Sequence, residues 1–287
     1  MDNPKRTLLF TATLCLVCSL ILAFLASVLK EPQEKAIRTD RYKEMLLSAQ
    51  YLSQDGYFLL DGKKARLDLQ HVTLIFDDHA ENASAEEITM LYERFVQPKL
   101  TNHSGDIASF QERGIVYEEY LQSNVKYGYS KLPWKLIYEV YSLKDAKKVA
   151  GYIIPVQGFG LWGPIYGLLA LKNNANEVLG ISWYAHGETP GLGANISSSQ
   201  WQEQFPGKQI FQVDAKGNLD PQNASLGLIV VRGKVKDVLG QDPRASHSVD
   251  GMSGATITGN GVSGAYKNTL EAYRPFLIKK YEAARAQ

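Results

Sequence analysis

The chain is poor in cysteine, carries almost no net charge and lacks a P-loop. Its two cysteines, Cys15 and Cys18, both lie inside one apolar run, which excludes a disulfide framework and a structural zinc site. The 31 basic and 30 acidic residues leave a formal charge of +1, without a basic cluster of the kind that holds nucleic-acid phosphates. The pattern G-x-x-x-x-G-K-[ST] is absent as well. Composition therefore argues against nucleic acid as a partner and against a P-loop nucleotide site.

The first 30 residues contain a segment that predicts a membrane anchor. Residues 7–29 are uncharged and apolar, longer than the roughly 20 residues that cross a membrane and the roughly 7–15 of a signal-peptide core. A cleavable signal peptide is the alternative. Lys5 and Arg6 precede the run, which favours a cytoplasmic N-terminus and places the rest of the chain outside the cytoplasm. Cys15 and Cys18 serve there as small apolar side chains, the alternative being a thiol pair that faces a partner's metal.

The 287 residues of the chain are enough for one large domain or two smaller ones. The 45% of them that are apolar can supply a hydrophobic core. Residues 30–52 are polar and compatible with a helix, with Met45 and Leu46 on its apolar face. Residues 57–130 give mixed signals, apart from residues 85–97, whose apolar positions have helical spacing. No chemistry stands out in this part of the sequence.

Short runs rich in β-branched and aromatic residues dominate the second half of the chain. Four of them predict consecutive strands, at residues 134–142, 149–157, 165–172 and 177–186. The turn-forming K-N-N-A-N-E between the last two predicts an antiparallel hairpin. A further strand is predicted at residues 226–234 and a helix around Trp201 and Phe205. The last helix is predicted over residues 262–277, where Pro275 should end or kink it. This order predicts an α+β fold with an antiparallel sheet and packed helices.

Two glycine-rich stretches follow predicted strands and could carry chemistry. Residues 158–167, G-F-G-L-W-G-P-I-Y-G, offer close backbone approach and flat aromatic faces, although a simple connecting loop explains them as well. They do not continue as G-x-G-x-x-G before a helix, so a Rossmann site is not supported. Residues 186–194, H-G-E-T-P-G-L-G-A, suit the polar edge of a planar heterocycle. The alternatives for this second stretch are a plain turn or a pair of metal ligands.

The third glycine-rich stretch, D-G-M-S-G-A-T-I-T-G-N-G at residues 250–261, lies before the last predicted helix. Its glycines free several N–H groups, and the positive end of the helix favours an anion such as phosphate. An ordinary helix start with hydroxyl caps is the simpler explanation of the pattern. Thr256 adds a chemical option, because a hydroxyl can form a phosphoester and hold a nucleotide-like cofactor permanently. Composition alone leaves this choice open.

Residues 250–256, D-G-M-S-G-A-T, match the flavinylation motif D-x-x-[ST]-G-A-T. With the N-terminal anchor and E-T-P-G-L-G at residues 188–193, the chain resembles the NqrC family of the sodium-translocating NADH:quinone reductases. The G subunit of the Rnf-type ferredoxin:NAD oxidoreductases shares the FMN-binding domain and is the alternative within this group. A membrane-tethered binding or assembly module without a redox role is the alternative from another class. The resemblance is specific for residues 134–273 and the anchor.

The resemblance implies FMN esterified through its phosphate to the hydroxyl of Thr256, with Thr258 as the nearest rival attachment point. Asp250 takes the motif position associated with recognition by the FMN transferase, which draws FMN from FAD with a metal ion. The other implied site residues are Ser253, Gly254 and Ala255 in the motif and Trp162, His186, Glu188, Thr189, Gly191, Leu192, Gly193 and Thr258 around the flavin. No metal site is expected in this chain.

The resemblance also implies a role within a membrane complex of the bacterial inner membrane. Electrons are expected to pass from an iron–sulfur centre through this flavin to a second flavin protein on the way to ubiquinone, while the complex exports sodium. The expected partners are the other subunits, the FMN transferase and the membrane. The implied organisation is a cytoplasmic segment at residues 1–6, a transmembrane helix at 7–29, an extracytoplasmic N-terminal region at 30–130 and a periplasmic FMN-binding domain at 131–287.

Overall fold

A computed structural model describes residues 4–124 and 128–286 of the chain. Its α-helices are α1 (Pro4–Ser48), α2 (Ala85–Phe95), α3 (Tyr117–Asn124), α4 (Ser199–Gln202), α5 (Val235–Val238) and α6 (Thr256–Arg285). Its strands are β1 (Phe58–Leu60), β2 (Lys63–Asp68), β3 (Thr73–Phe76), β4 (Val96–Thr101), β5 (Ile107–Ala108), β6 (Lys135–Tyr141), β7 (Val149–Phe159), β8 (Pro164–Lys172), β9 (Val178–Ala185), β10 (Ile229–Val230) and β11 (Ser248–Val249). The predicted α+β class is confirmed. Residues 1–3 of the predicted cytoplasmic segment and Gln287 lie outside the described residues.

Helix α1 joins the predicted anchor and the polar segment after it into one continuous helix, which includes Pro32. Its most apolar window has a mean hydropathy of 2.6, so by length and composition this helix can cross a membrane. Cys15 and Cys18 are exposed on it. By its internal contacts the chain forms two compact units, Met1–Tyr42 and Lys43–Gln287. The end of α1 belongs to the second unit and is buried there.

The second unit is organised around a six-stranded antiparallel sheet in the order β5-β4-β6-β7-β8-β9. Strands β6 to β9 are the four predicted strands, and β8 pairs antiparallel with β9 as the turn between them predicts. Strand β7 pairs with β8 along its length, ending at Phe159↔Pro164, so residues 160–163 form a tight connection at the sheet's end. Strands β4 and β5 extend the sheet into the region before residue 130.

Helix α6 packs against β7 and buries Tyr266, Leu270 and other apolar residues in the main core. Of the two outcomes expected at Pro275, an end of the helix is wrong, because α6 continues to Arg285. The residues that follow the proline explain this result, since Phe276 and its neighbour Leu277 are fully buried. The burial of these side chains stabilises the last turns of the helix by more than the loss of one backbone hydrogen bond at Pro275 costs.

Two other predicted elements are shorter than the sequence suggests. The strand expected at residues 226–234 is reduced to β10, which pairs parallel with β11. The helix around Trp201 and Phe205 ends at Gln202, yet the two aromatic rings pack edge-to-face with centroids 4.8 Å apart. The spacing of these apolar residues therefore predicted their burial correctly, while the helix itself is only one turn long.

In the N-terminal region the helical spacing of residues 85–97 is confirmed by α2, which begins with a capping box between Ser84 and Glu87.

Candidate functional site

The first turn of helix α6 carries two threonines in opposite environments. Thr256 begins the helix and is exposed, whereas only 1% of the surface of Thr258 is accessible. Successive residues of an α-helix are rotated by about 100°, so residues two apart point to nearly opposite sides. The residue before the helix, Ala255, provides no side-chain cap, so this 30-residue helix offers its first N–H groups and its positive end to an anion. We call the Thr258 side the inner side of this turn and the Thr256 side its outer side.

The inner side is organised by the carboxylate of Glu188, which follows strand β9 and is only 5% exposed. The carboxylate accepts hydrogen bonds from the Thr258 hydroxyl and, at 2.9 Å, from the backbone N–H of Trp162. It also accepts the backbone N–H of Leu161. Burial raises the pKa of this carboxyl, but the hydrogen bonds outweigh burial and hold the pKa below its ordinary value. Glu188 is thus an ionised anchor that joins two loops to helix α6.

Two glycines leave the space that this carboxylate occupies. A Cβ atom at Gly160 would lie 2.5 Å from Glu188 Oε1. A Cβ atom at Gly193 would lie 2.5 Å from Glu188 Oε2 and equally close to Thr258 Oγ1. Gly163 and Gly187, in the same two loops, have open space where a Cβ would be. Only some glycines of the two loops are therefore required by the packing of the carboxylate.

The rim of the site is apolar and exposed. The indole N–H of Trp162 donates to Thr189 Oγ1 at 3.1 Å, while 69% of the Trp162 surface stays accessible. Leu192 packs against Gly254, where a Cβ atom would lie 2.9 Å from Leu192 Cδ2. The other large exposed apolar residues here are Phe159, Leu161 and Ile257. Exposed apolar side chains of this kind suit contact with one face of an aromatic ring.

His186 and Gly191 complete the second loop. The backbone N–H of Glu188 donates to His186 Nδ1 at 3.3 Å, and His186 Nε2 lies 3.2 Å from Ser197 Oγ. Gly191 has a φ of +75°, a conformation that favours glycine, and therefore permits the turn before Leu192. In the structure these two residues shape the loop that carries Glu188 and Leu192.

The outer side opens into a pocket of about 400 Å³. Its lining consists of residues 230–234, residues 251–256, Gly259 and Asn260. Arg232 and Lys234 bring two exposed cationic side chains to this pocket from a distant part of the sequence. The parallel pair of β10 and β11 holds the two segments together, and just beyond it the Gly251 N–H donates to the Gly233 carbonyl at 2.8 Å. The motif therefore receives its basic residues from a neighbouring loop.

Arg232 and Lys234 were not predicted as site residues, because the sequence predicts a strand over both of them. In the structure the strand ends at Val230, and Gly233 has a φ of +100° that ends the extended conformation. The detectable signal was the tripeptide R-G-K directly after an apolar run. It places one cation on each side of a glycine at which the chain can turn. Its proximity to Thr256 depends on pairing between segments that are distant in sequence.

Asp250 and Ser253 lie at different depths in the motif. The Asp250 carboxylate accepts the backbone N–H of Val235 at 2.7 Å, and its own N–H donates to Gln204 Oε1 at 2.8 Å. Asp250 therefore fixes the start of the motif from within the fold. Ser253 is exposed and, like Thr256, lines the pocket. Exposure thus leaves Ser253 and Thr256 as accessible hydroxyls and separates both from Thr258.

The arrangement fits a planar cofactor with an anionic tail. An exposed hydroxyl, an uncapped helix N-terminus and two cations suit a phosphate, while the exposed Trp162 and Leu192 suit an aromatic ring. Among the described residues there is no group of three or more His, Cys, Asp and Glu side chains that could hold a metal ion.

Comparisons with known proteins agree with this chemistry. A family model for an FMN-binding domain matches residues 160–271, which include both sides of the first turn of α6. The C subunit of the Na(+)-translocating NADH-quinone reductase of Chlamydia pneumoniae is 41% identical over 94% of this chain and 90% of its own length. The corresponding protein of Chlamydia trachomatis is 36% identical over 96% and 93%. This chain belongs to the NqrC family, the C subunits of the Na(+)-translocating NADH-quinone reductases.

Solved structures of NqrC proteins share the fold. The structure from Parabacteroides distasonis has a TM-score of 0.56 at 24% identity and covers 87% of this chain and 96% of its own. The structure of Shewanella oneidensis NqrC has the same TM-score and identity, covering 86% and 99%. As a member of the NqrC family, the chain is part of an oxidoreductase complex and carries an FMN-binding domain. Helix α1 fits a membrane-anchored member of that complex.

Proposed function

We propose that this NqrC protein transfers electrons through an FMN that is bound as a phosphoester to Thr256. The observation that carries the proposal is the environment of the two threonines on α6. Thr256 is exposed at an uncapped helix start and lines a pocket with Arg232 and Lys234, while Thr258 is buried and donates to Glu188. Attachment at Thr256 places the phosphate where N–H groups and two cations stabilise its charge.

The attachment step requires an FMN transferase and FAD as co-substrate. Thr256 Oγ attacks the phosphorus of the FMN half of FAD, an Oγ–P bond forms, and the pyrophosphate bond breaks. AMP leaves, and the hydroxyl proton passes to a base on the transferase. The motif contributes accessibility, because Gly254, with a φ of +74°, and Ala255 place no large side chain beside Thr256. Asp250 supports this presentation by fixing the start of the motif through Val235.

In the mature protein the chain's residues hold and enclose the cofactor. FMN supplies the redox chemistry when bound, and the protein supplies orientation and electrostatics. Arg232 and Lys234 would neutralise the phosphate, and Trp162, oriented by Thr189, would cover a ring face together with Leu192. An ester bond retains the cofactor through repeated cycles of reduction and oxidation. The ester bond and these two cations together explain how the motif at residues 250–261 can hold a phosphate without a lysine within the motif itself.

The proposed place of this protein is on the outer side of a bacterial inner membrane, with the FMN-binding domain in the periplasm. Helix α1 supports anchoring, and the family supports the complex. Within it, electrons are proposed to arrive from an iron–sulfur centre and to leave to a second flavin protein on the way to ubiquinone. Sodium export is coupled to this transfer elsewhere in the complex.

Substitution at Thr256 tests the attachment site. Thr256→Val should abolish covalent flavin, because valine preserves the shape of threonine and lacks the hydroxyl that forms the ester. The measurement is flavin fluorescence of the denatured chain in a gel, after production with the transferase. Ser104→Ala, which removes an exposed hydroxyl outside the motif, is the matched control and should keep full fluorescence, and Ser253→Ala, which removes the other exposed hydroxyl of the motif, should still carry covalent flavin. Undiminished fluorescence in Thr256→Val, or its loss only in Ser253→Ala, would overturn the assignment.

A further inference from the structure

Glu188 and Thr258 form a buried pair on the inner side of the first turn of α6. The resemblance places both residues along the flavin ring, but in the structure their polar atoms are hydrogen-bonded to each other. Glu188 is 5% exposed and Thr258 1% exposed, and the Thr258 hydroxyl donates to Glu188 Oε2. The other carboxylate oxygen accepts the Trp162 N–H. Side chains this buried act on a surface ligand by fixing the segments that contact it.

The segments joined by this carboxylate surround the proposed flavin site. Trp162 and Leu161 belong to the connection between β7 and β8, and Glu188 belongs to the loop after β9. Thr258 lies in the first turn of α6, two residues after Thr256. A hydrogen bond to an ionised carboxylate is among the stronger ones in a protein. One buried group therefore sets the rotation of the helix start relative to both loops.

That rotation decides where the Thr256 hydroxyl points. Because residues two apart on a helix face nearly opposite directions, holding Thr258 inward holds Thr256 outward. The first turn has no side-chain cap that could hold it instead. Gly193, whose Cβ would meet both Glu188 and Thr258, leaves the space for this contact.

We propose that Glu188 is a positioning residue for flavin attachment, which acts through Thr258 to hold the first turn of α6 in the orientation that presents Thr256 to the transferase. This inference rests on the proposed attachment at Thr256. It assigns Glu188 and Thr258 a role before the cofactor is bound, in addition to any effect on the bound flavin.

The test is the rate of flavin attachment to the full chain in detergent, with FMN transferase, FAD and Mg²⁺. Initial rates of covalent fluorescence at several chain concentrations give kcat and KM for the chain as protein substrate. Thr258→Val should lower kcat about tenfold, the size expected for one lost hydrogen bond to a charged group, with little change in KM. Thr258→Ser restores the hydroxyl and should restore the rate. Thr269→Val, another buried threonine of the same helix, is the matched control and should behave as wild type.

A second pair of variants keeps the test independent of valine's effect on folding. Glu188→Ala should slow attachment by a similar factor, whereas Glu188→Gln keeps an acceptor for Trp162 and a group that can bond Thr258, and should retain most of the rate. The double variant Glu188→Ala with Thr258→Val should be no slower than either single one, because both remove the same contact. Far-UV circular dichroism of each variant accompanies the rates.

The outcomes separate this inference from the proposed function. Absence of covalent flavin in the wild-type chain would overturn attachment itself. Normal wild-type attachment together with a wild-type kcat in folded Thr258→Val would overturn only the positioning role. A rise in KM at constant kcat, or failure of Thr258→Ser to recover the rate, would also contradict it.

Discussion

The two sides of the first turn of α6 use similar residues for opposite purposes. On the inner side, glycines leave room for the Glu188 carboxylate, which accepts a hydrogen bond at each of its oxygens. On the outer side, glycines leave a pocket of about 400 Å³ whose cations lack a carboxylate partner among the described ion pairs. The difference teaches that a glycine-rich loop and a hydroxyl do not by themselves mark a ligand site. The satisfaction of their hydrogen bonds distinguishes a structural contact from a binding surface.

The largest expected effect is on the stability of the fold and comes from a substitution on the inner side. Gly193→Ala should lower the free energy of unfolding by about 1–3 kcal/mol, because its Cβ has no room beside Glu188 and Thr258. Gly187→Ala, in the same loop with open space around it, should change stability by less than about 0.5 kcal/mol. Urea unfolding of the two variants checks this difference. Equal effects would show that the carboxylate does not require the space at Gly193.

A smaller effect is expected on the outer side, in ligand affinity. In a Thr256→Val background, which binds FMN only reversibly, Arg232→Gln combined with Lys234→Gln should weaken FMN binding about five- to tenfold and reduce its salt dependence. Flavin fluorescence titration at two salt concentrations measures both. Lys147→Gln combined with Lys148→Gln, two exposed lysines in the turn between β6 and β7, is the control. Equal weakening of FMN binding by the two double variants would contradict a phosphate site in the outer pocket.

The smallest expected effect is the pH dependence of the inner side. Folding lowers the pKa of Glu188, so its ionised form stabilises the fold fully above the unfolded value of about 4.3. This stabilisation declines as the pH falls through the lower folded pKa. The stability difference between wild type and Glu188→Gln should therefore shrink between about pH 6 and about pH 3. Urea unfolding at several pH values measures it. A difference independent of pH would contradict an ionised Glu188.

Much of the fold was predictable because local patterns dictate it. The four central strands and the hairpin between β8 and β9 followed from β-branched runs and turn residues. The continuation of α6 past Pro275 did not, because it depends on the burial of Phe276 by residues distant in sequence. The short β10 has the same explanation, since its parallel partner β11 is far along the chain.

The site was predictable in its residues and less so in their roles. The motif and the two glycine-rich loops were identified, and the structure brings Trp162, Glu188, Leu192 and Gly254 together. The sequence could not show that Glu188 and Thr258 face each other, because composition does not indicate which hydroxyl a carboxylate meets. Arg232 and Lys234 were missed for a related reason, since strand pairing alone brings them to the motif.

The mass of the intact, denatured chain, followed by peptide mapping, tests the central claim most directly. Protein purified from cells that contain the FMN transferase should be heavier than the sequence by about 0.4 kDa, the size of one phosphoester-linked flavin. The added mass should map to Thr256 and not to Ser253 or Thr258. An unmodified mass, or an added flavin on either neighbouring hydroxyl, would contradict the account.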